Sequence, residues 1–238
     1  MDTKNKVHIL RNKIKVKLVA IAKDEAPYLP YWIYHHFSIG IDFIEIHLNG
    51  ITDNSLEICK KISNGDKRFT YFIGDRLLQK CLKRKQKYQI SAYNKSIKRT
   101  KKGKDSSTHI LFLDIDEYLV NTKGRNCIKR LVRSCPEADA FSFLWYFEYW
   151  EGNKRAFTNP LAGHQSAVKV RTLKTLIKVS SKIKSYVQHN AIYDESNQPK
   201  NLLAETGLHL IPKVNTDDGR NMVYQQVLQM LGEGSVEE

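Results

Sequence analysis

The chain has 238 residues, of which 41% are hydrophobic, and 39 basic against 25 acidic side chains give it a net charge of +14. This composition excludes wholesale disorder, and the length allows one α/β domain with a full core. The positive charge must face an anionic partner. Charge alone does not choose among nucleotide phosphates, an anionic membrane surface and nucleic acid.

Cysteine usage and the longest apolar runs bear on the cellular compartment. The apolar run at residues 18–22 is bracketed by lysines and is too short for a signal sequence or a membrane span. No C-x-x-C pair or zinc-ligand spacing with histidine occurs among Cys59, Cys81, Cys127 and Cys135. We therefore expect a cytoplasmic protein, at most peripheral on the inner face of the membrane.

Three apolar runs, over residues 14–22, 41–48 and 69–73, predict strands in the first part of the chain. Between the second and third strands, the turn-rich segment 49–55 supplies an Asn or Ser cap. From there a helix is predicted to run to about residue 62.

A helix is also predicted between the first two strands. Leu29, Ile33 and Phe37 fall on one face at spacings of four. Pro27 is placed in the first turn, and Gly40 is the expected stop.

A strongly basic segment follows the third strand. Eleven Lys and Arg and no acid lie between Lys80 and Lys104, and Tyr88, Ala92 and Ile97 predict a helix with one apolar stripe. One interpretation is a solvated basic face, and the other is a surface that contacts phosphate or lipid headgroups.

An apolar strand over residues 109–113 runs directly into Asp114, Asp116 and Glu117. In an extended chain, residues two apart point the same way and lie roughly 7 Å apart, so a hard divalent cation with a phosphate ligand fits between the two aspartates. The alternative is that these acids cap a helix at Glu117 or are solvated in a loop.

Alternating strands and helices predict a mostly parallel sheet with helices on both faces. The carboxyl ends of such strands share one edge, so we expect the loops at 23–25, 49–55 and 114–117 to form one site. An antiparallel C-terminal extension that shapes an acceptor pocket is predicted from strand patterns at residues 140–150, 165–179 and 183–187.

Domain boundaries follow from where these patterns stop. The domain is predicted over residues 14–213. A basic arm (1–13) precedes it, and a polar linker with a C-terminal helix (214–238) follows.

Four elements of the sequence resemble glycosyltransferases of the GT-A fold, in the family 2-like branch related to family 92. They occur in the order of that family and extend over about residues 16–120, and more faintly to about 210. They are Lys23-Asp24-Glu25-Ala26-Pro27-Tyr28-Leu29 with Trp32 and residues 35–40 behind it, the loop 49–55, Tyr93-Asn94, and residues 112–117. Each motif alone is weak evidence for the family, whereas four motifs in the family's order are fairly specific to it.

The resemblance implies metal-dependent transfer of a sugar from a nucleotide-sugar donor, most often a UDP-sugar, to the hydroxyl of a glycan or lipid-linked acceptor. Surface polysaccharide or lipopolysaccharide assembly is the expected setting. Asp114 would lie near the ribose and, with Asp116, bind Mn²⁺ or Mg²⁺ on the diphosphate. His209 would complete the metal site, with His189 as the second candidate. The other residues expected to bind the nucleotide are Lys23, Asp24, Glu25, Asn49, Asp53 and Asn94.

One position departs from the family pattern. Leu48 stands where related chains carry an Asp before the Asn-Gly of the second loop, so base recognition would rest on Asn49, Asp53 or backbone groups, and the case for a uridine donor weakens.

An inverting transfer needs a carboxylate that takes the acceptor proton, and Glu148 and Glu151 follow the aromatic strand at the expected place. Retention of the anomeric centre stays open.

Two other classes of protein share part of the pattern. A haloacid-dehalogenase-type phosphatase has an apolar strand and D-x-D, but it carries Thr or Val where this chain has Tyr118, and its acidic strand opens the domain. A nucleic-acid-binding protein would use the net charge and the tyrosines at 88 and 93. No nucleic-acid motif accompanies them, so nucleic acid is not an expected partner.

Overall fold

The computed structural model describes residues 14–103, 105–119, 127–149, 166–181, 183–187, 190–193 and 201–204. Within these ranges the strands are β1 (Val16–Ala22), β2 (Phe43–Leu48), β3 (Phe69–Ile73), β4 (His109–Phe112), β5 (Ala140–Tyr149), β6 (Ser166–Lys178), β7 (Ile183–Val187), β8 (Asn190–Tyr193) and β9 (Asn201–Ala204). The helices are α1 (Leu29–Ser38), α2 (Ser55–Gly65), α3 (Asp75–Lys83), α4 (Tyr88–Lys101) and α5 (Cys127–Ser134).

Seven of these strands form one sheet in the order β3-β2-β1-β4-β6-β5-β9. Strands β3, β2, β1 and β4 pair in parallel, and β6 runs antiparallel to both β4 and β5. In this register Leu18 of β1 lies opposite Ile44 of β2 and Leu111 of β4. The predicted fold class, an α/β fold with a mostly parallel central sheet, is confirmed.

The apolar side chains of β1 are divided between two cores. Leu18 and Ala20 face one core, where α1, α2 and α5 pack, and Val19 faces the other, where α4 and the hairpin of β7 and β8 pack. Successive side chains of a strand point to opposite faces, so a strand buried on both sides is mostly apolar. Helices therefore cover both faces of the sheet, as the sequence predicted.

The start of α1 differs from the prediction. The helix begins at Leu29, so the proline in its first turn is Pro30 rather than Pro27. Its predicted end is confirmed, because the helix stops at Ser38 and Gly40 adopts a φ of 102°, a conformation that costs glycine little.

Neither predicted cap of α2 is formed. Asn54 occupies the N-cap position without a side-chain capping bond. Instead, Asp53 Oδ1 accepts the amide of Ser55 at 2.9 Å, and Ser55 Oγ accepts the amide of Glu25 at 3.0 Å. The polar side chains at this helix start therefore connect the loops after β1 and β2.

The basic segment forms two helices where one was predicted. Helix α3 ends at Lys83, the chain turns at Lys85 with a φ of 53°, and α4 starts at Tyr88. Ala92 and Ile97 are buried as the predicted apolar stripe required.

In the second half, the predicted antiparallel pairing is found between β5 and β6, and both strands belong to the main sheet. Strands β7 and β8 form a separate antiparallel hairpin. Helix α5 and strands β8 and β9 were not predicted. The arm 1–13 and the tail 214–238 lie outside the described residues, so the domain boundaries stay predictions.

A buried ionic network ties α4 to the sheet. Glu45 of β2 is 2% exposed, and its carboxylate lies 2.6 Å from Lys17 Nζ and 2.8 Å from His47 Nε2. Ser96 Oγ donates to it at 2.5 Å, and Arg99 Nη2 donates to the same oxygen. Burial alone would raise the pKa of Glu45, but the hydrogen bond from His47 and the charge of Lys17 hold this pKa well below its usual range.

Glu45→Gln is expected to destabilise the fold by about 3 kcal/mol, because it removes the buried carboxylate that Lys17 and Arg99 share and leaves Lys17 with Asp105 as its carboxylate partner among the described residues. Asp66→Asn, which removes an exposed ion pair with Arg68, should change stability by less than about 0.5 kcal/mol. Urea denaturation at pH 7 measures both.

The pH dependence of the Glu45 contribution has a definite sign. Because its folded-state pKa is depressed, the stabilisation is fully present above the unfolded-state pKa of about 4.3 and is lost as the pH falls below it. The stability difference between wild type and Glu45→Gln should therefore shrink from pH 6 to pH 3. A difference that stays constant over this range would contradict the assignment.

Helices α3 and α4 present an exposed basic surface. The exposed Lys and Arg side chains of these helices and their connections are Arg76, Lys80, Lys83, Arg84, Lys85, Lys87, Lys95, Lys98, Lys101 and Lys102. In the described part of the chain, no helix has the length and apolar character needed to cross a membrane. Contact of the basic surface with an anionic membrane stays a prediction.

If this basic surface binds anionic lipid, Lys95→Glu/Lys98→Glu on α4 should weaken binding to phosphatidylglycerol vesicles at least tenfold, since each basic residue near such a surface contributes about 1 kcal/mol. The matched control is Lys60→Glu/Lys61→Glu on α2, which packs on the other face of the sheet. Cosedimentation at 50 and 500 mM salt measures the binding and its screening. Equal binding of both variants, or equal partitioning onto neutral vesicles, would contradict lipid contact.

Candidate functional site

The acidic motif lies on a turn directly after β4. The strand ends at Phe112, and the amide of Glu117 donates to the carbonyl of Asp114 at 3.0 Å. The extended backbone predicted for Asp114 and Asp116 is therefore wrong. The chain turns back here, while Ile115 is buried and the Asp114 side chain is 40% exposed.

A lysine from β6 reaches into this turn. Lys174 Nζ lies 2.8 Å from Glu117 Oε2 and 3.2 Å from Asp114 Oδ2, and its side chain is only 3% exposed. Glu117 Oε2 also accepts the amide of Asp114 at 2.9 Å. The turn is thus closed by its own glutamate, and an ammonium group is fixed between two carboxylates.

Burial and charge act against each other at this turn. Burial raises the pKa of Glu117 to about 8. The charge of Lys174 opposes this rise, and the charges of Asp114 and Asp116 add to it. Burial would lower the pKa of Lys174, yet the carboxylates of Glu117 and Asp114 raise it, so this lysine is charged at neutral pH. Lys174 therefore stabilises the charged forms of both Asp114 and Glu117 at this turn.

The loop after β1 holds the loop after β2 through an aspartate in an unusual conformation. Asp24 has a φ of 54°, a left-handed conformation that few residues other than glycine, asparagine and aspartate adopt. Its Oδ1 accepts the amides of Thr52 at 2.6 Å and Asp53 at 3.3 Å.

Asp53 completes this connection. Its Oδ2 accepts the amide of Ala26 at 2.8 Å, while Oδ1 accepts that of Ser55. Burial would raise the pKa of Asp53, but the hydrogen bonds from Ser55 and Ala26 lower it below its usual value. The carboxylates of Asp24 and Asp53 thus hold backbone amides, a positioning role that the sequence did not predict, and their contact with a nucleotide stays a prediction.

Helix α1 connects the loop after β1 to the acidic turn. Trp32 Nε1 donates to the carbonyl of Glu117 at 2.7 Å, and the amide of Leu119 donates to His36 Nε2 at 3.2 Å. His36 Nδ1 lies 2.8 Å from the carbonyl of Trp32 and therefore carries the proton. Burial, with His35 nearby, lowers the pKa of His36 well below its usual value, so this ring is neutral and structural.

Three buried tyrosines surround the acidic turn. The Tyr93 ring lies 4.3 Å from that of Phe112, which in turn lies 4.4 Å from Tyr186. Burial raises the pKa of each of the three hydroxyls, those of Tyr93, Tyr118 and Tyr186, above the usual value for tyrosine. The carboxylates of the acidic turn add to this rise, so all three hydroxyls stay protonated. The hydroxyls of Tyr118 and Tyr186 have no hydrogen-bond partner among the described residues.

The remaining predicted nucleotide contacts have different surroundings. Asn94 holds the hairpin, because its Nδ2 donates to the carbonyl of Tyr186 at 3.1 Å and its Oδ1 accepts the amide of that residue at 2.9 Å. Lys23 is exposed and lies over Gly50, where an added Cβ would come within 3.7 Å of its Cε. Asn49 Oδ1 is buried and accepts no hydrogen bond from the described residues. The nucleotide-binding roles of these residues stay predictions.

The predicted catalytic and metal-binding residues are only partly described. Glu148 lies on β5, where it pairs with Ala167 of β6. Glu151, His189 and His209 lie outside the described residues. Among the residues that the structure does describe, no three His, Cys, Asp or Glu side chains form a group that could hold a metal ion. Asp114 and Asp116 offer the hard oxygen donors that Mg²⁺ and Mn²⁺ prefer, but Lys174 already contacts Asp114.

Lys174 and the tyrosine hydroxyls were not predicted as parts of this site. Lys174 is one of 39 basic residues and stands in an alternating strand, where a lysine is ordinarily taken as solvent-facing. The turn that follows Asp114 and the pairing of β6 with β4 bury it. No local pattern marks this position.

Comparisons with known proteins give the following results. No protein-family model matches the sequence, and no curated protein matches it. Solved structures of S. aureus TarS are similar to this chain at 13% identity. One comparison covers 60% of this chain and 23% of the TarS chain with a TM-score of 0.39, and another covers 70% and 48% with a TM-score of 0.42. The chain thus spans less than half of each TarS chain that it matches.

Trp32→Phe should cost about 1–2 kcal/mol, because it leaves the buried carbonyl of Glu117 without its donor. Amide exchange at residues 117–119 should become faster, since the turn loses its connection to α1. Tyr34→Phe is the matched control, because Tyr34 lies on the same helix and is 72% exposed. Unchanged exchange at these amides would mean that the indole does not hold the turn.

Proposed function

We propose that this chain is a glycosyltransferase that moves a sugar from a nucleotide-sugar donor to an acceptor hydroxyl. One observation carries the proposal: the loops after β1, β2 and β4, which hold three of the four family-like motifs, lie at one edge of the sheet. Direct bonds from Asp24 to Thr52, from Asp53 to Ala26 and from Trp32 to Glu117 join them. In parallel sheets this edge is where ligands bind.

The chemistry of this edge fits a diphosphate ligand. Transfer of the sugar leaves negative charge on the departing nucleoside diphosphate, and positive charge or hydrogen-bond donors must stabilise it. The Lys174 ammonium and the hydroxyls of Tyr118 and Tyr186 are buried donors at the acidic turn. Asp114 and Asp116 would hold Mn²⁺ or Mg²⁺, which when bound supplies charge stabilisation to the leaving group.

A cavity beside the second loop supports binding of the nucleotide base. It has a volume of about 300 Å³, and Leu48, Ile51, Asp53 and Ile73 contribute to its walls. Leu48, which replaces the family's aspartate, makes this wall more apolar and leaves Asp53 as a nearby carboxylate. A UDP-sugar stays the first donor to try, with guanosine and cytidine diphosphate sugars beside it.

A glycan or a lipid-linked acceptor fits the basic surface of α3 and α4, which would bring the enzyme to an anionic membrane. Glu148 and Glu151 are the candidates for the base that takes the acceptor proton. Surface polysaccharide assembly, the family 92 relationship and a cytoplasmic location belong to this same proposal.

Asp116→Asn should reduce metal-dependent hydrolysis of the donor sugar at least a hundredfold, because a small cation site loses one of its anionic ligands. Wild type, Asp116→Asn and the control Asp66→Asn are incubated with UDP-, GDP- and CDP-sugars, with Mn²⁺ or with chelator, and nucleoside diphosphate release is measured. Asp66 precedes β3 at the opposite edge of the sheet and should tolerate the change.

The same proteins can be tested for binding without turnover. Nucleoside diphosphate with Mn²⁺ should raise the melting temperature of wild type and of Asp66→Asn but not that of Asp116→Asn. If none of the three nucleotides shifts the wild-type melting temperature, and no diphosphate is released, the glycosyltransferase proposal is wrong.

A further inference from the structure

The position of Lys174 conflicts with simple cation binding at the D-x-D motif. Its ammonium contacts Asp114 Oδ2 at 3.2 Å and Glu117 Oε2 at 2.8 Å. These are oxygens of the cluster from which a divalent cation would draw its ligands. The lysine is almost fully buried and comes from β6, so the sheet fixes its stem.

We infer that Lys174 is the internal counter-cation of the acidic turn and that it competes with a divalent cation for Asp114 until a diphosphate offers the lysine another partner. The inference rests on the proposed function for the identity of that diphosphate. It makes Lys174 a positioning residue that couples cation binding to donor binding.

The competition follows from charge and geometry. A Mg²⁺ ion binds a carboxylate oxygen at about 2.1 Å, so a cation on Asp114 would lie within a few ångströms of the lysine ammonium. Charges of the same sign at that separation repel strongly where the site is shielded from water. The cation must therefore displace the lysine or bind weakly through Asp116 and the exposed side of Asp114.

A diphosphate changes this balance. Phosphate oxygens are strong acceptors for an ammonium group, and they also bind the cation directly. When Lys174 moves its hydrogen bonds from Asp114 to a phosphate, the Asp114 oxygen becomes accessible to the cation. Cation and nucleotide should then each strengthen the binding of the other by the same factor.

The competition is tested by titrating the nucleotide-free chain with Mn²⁺. The electron paramagnetic resonance signal of free Mn²⁺ measures how much of the ion is bound. Lys174→Met should bind Mn²⁺ at least tenfold more tightly than wild type, because the competing charge is gone. Lys174→Arg keeps the charge and should bind as weakly as wild type. Adding Asp116→Asn to Lys174→Met should abolish the gain, which locates it at the D-x-D motif.

Loss of Lys174 leaves Glu117 without its cation, so folding of each variant is checked by circular dichroism. Lys174→Gln serves as the second variant, because its amide can still donate to Glu117 without carrying charge. Mn²⁺ affinity that is unchanged or weaker than wild type in the folded neutral variants overturns the inference.

Saturating UDP provides the second arm of the titration. It should tighten Mn²⁺ binding by wild type at least tenfold and by Lys174→Met by a smaller factor, because the phosphate oxygens add ligands to the cation in both proteins, whereas only wild type has a lysine to release. An equal gain in both proteins also overturns the inference.

The inference and the proposed function can fail separately. Tighter Mn²⁺ binding by Lys174→Met with no release of diphosphate from any nucleotide sugar would reject the glycosyltransferase and keep the competition. Release of diphosphate with unchanged Mn²⁺ binding in the neutral variants would keep the enzyme and reject the role of Lys174.

Discussion

Parallel pairing of β1, β2 and β4 is the constraint on which the site depends. It forces the segments that follow these strands to one edge of the sheet, although up to ninety residues separate them in the chain. The loops are then locked together by carboxylates that accept backbone amides and by the indole of Trp32. These bonds fix the backbone at this edge of the sheet.

Buried charge is arranged differently at two places in the sheet. Around Glu45, the two cations Lys17 and Arg99 face the two carboxylates of Glu45 and Asp105, so the charges are matched and the group connects α4 to the sheet. At the acidic turn, the ammonium of Lys174 contacts the carboxyl groups of Asp114 and Glu117. The Glu45 carboxylate is shielded from solvent, whereas the Asp114 side chain is 40% exposed and can be reached from outside.

Much of the fold was predictable because strand and helix periodicity is a local property. The strands at 14–22 and 69–73, the stop at Gly40 and the buried stripe of α4 follow from residues a few positions apart, and the structure confirms them. Three local predictions were wrong: the first turn of α1, the single helix across Lys85 and the extended backbone at Asp114. Backbone hydrogen bonds decide these features, and such bonds leave little trace in the hydrophobic pattern.

The sequence by itself determined the fold class, the edge that carries the motifs and the acids of that edge, because parallel topology and D-x-D spacing can be read along the chain. Only the tertiary structure decided which groups neutralise those acids. Lys174 lies sixty residues after Asp114, and the antiparallel insertion of β6 beside β4 brings them together. Asn94 likewise donates a hydrogen bond to the carbonyl of Tyr186, which lies in the distant hairpin of β7 and β8. Contacts between distant segments depend on packing and register, which no local pattern encodes.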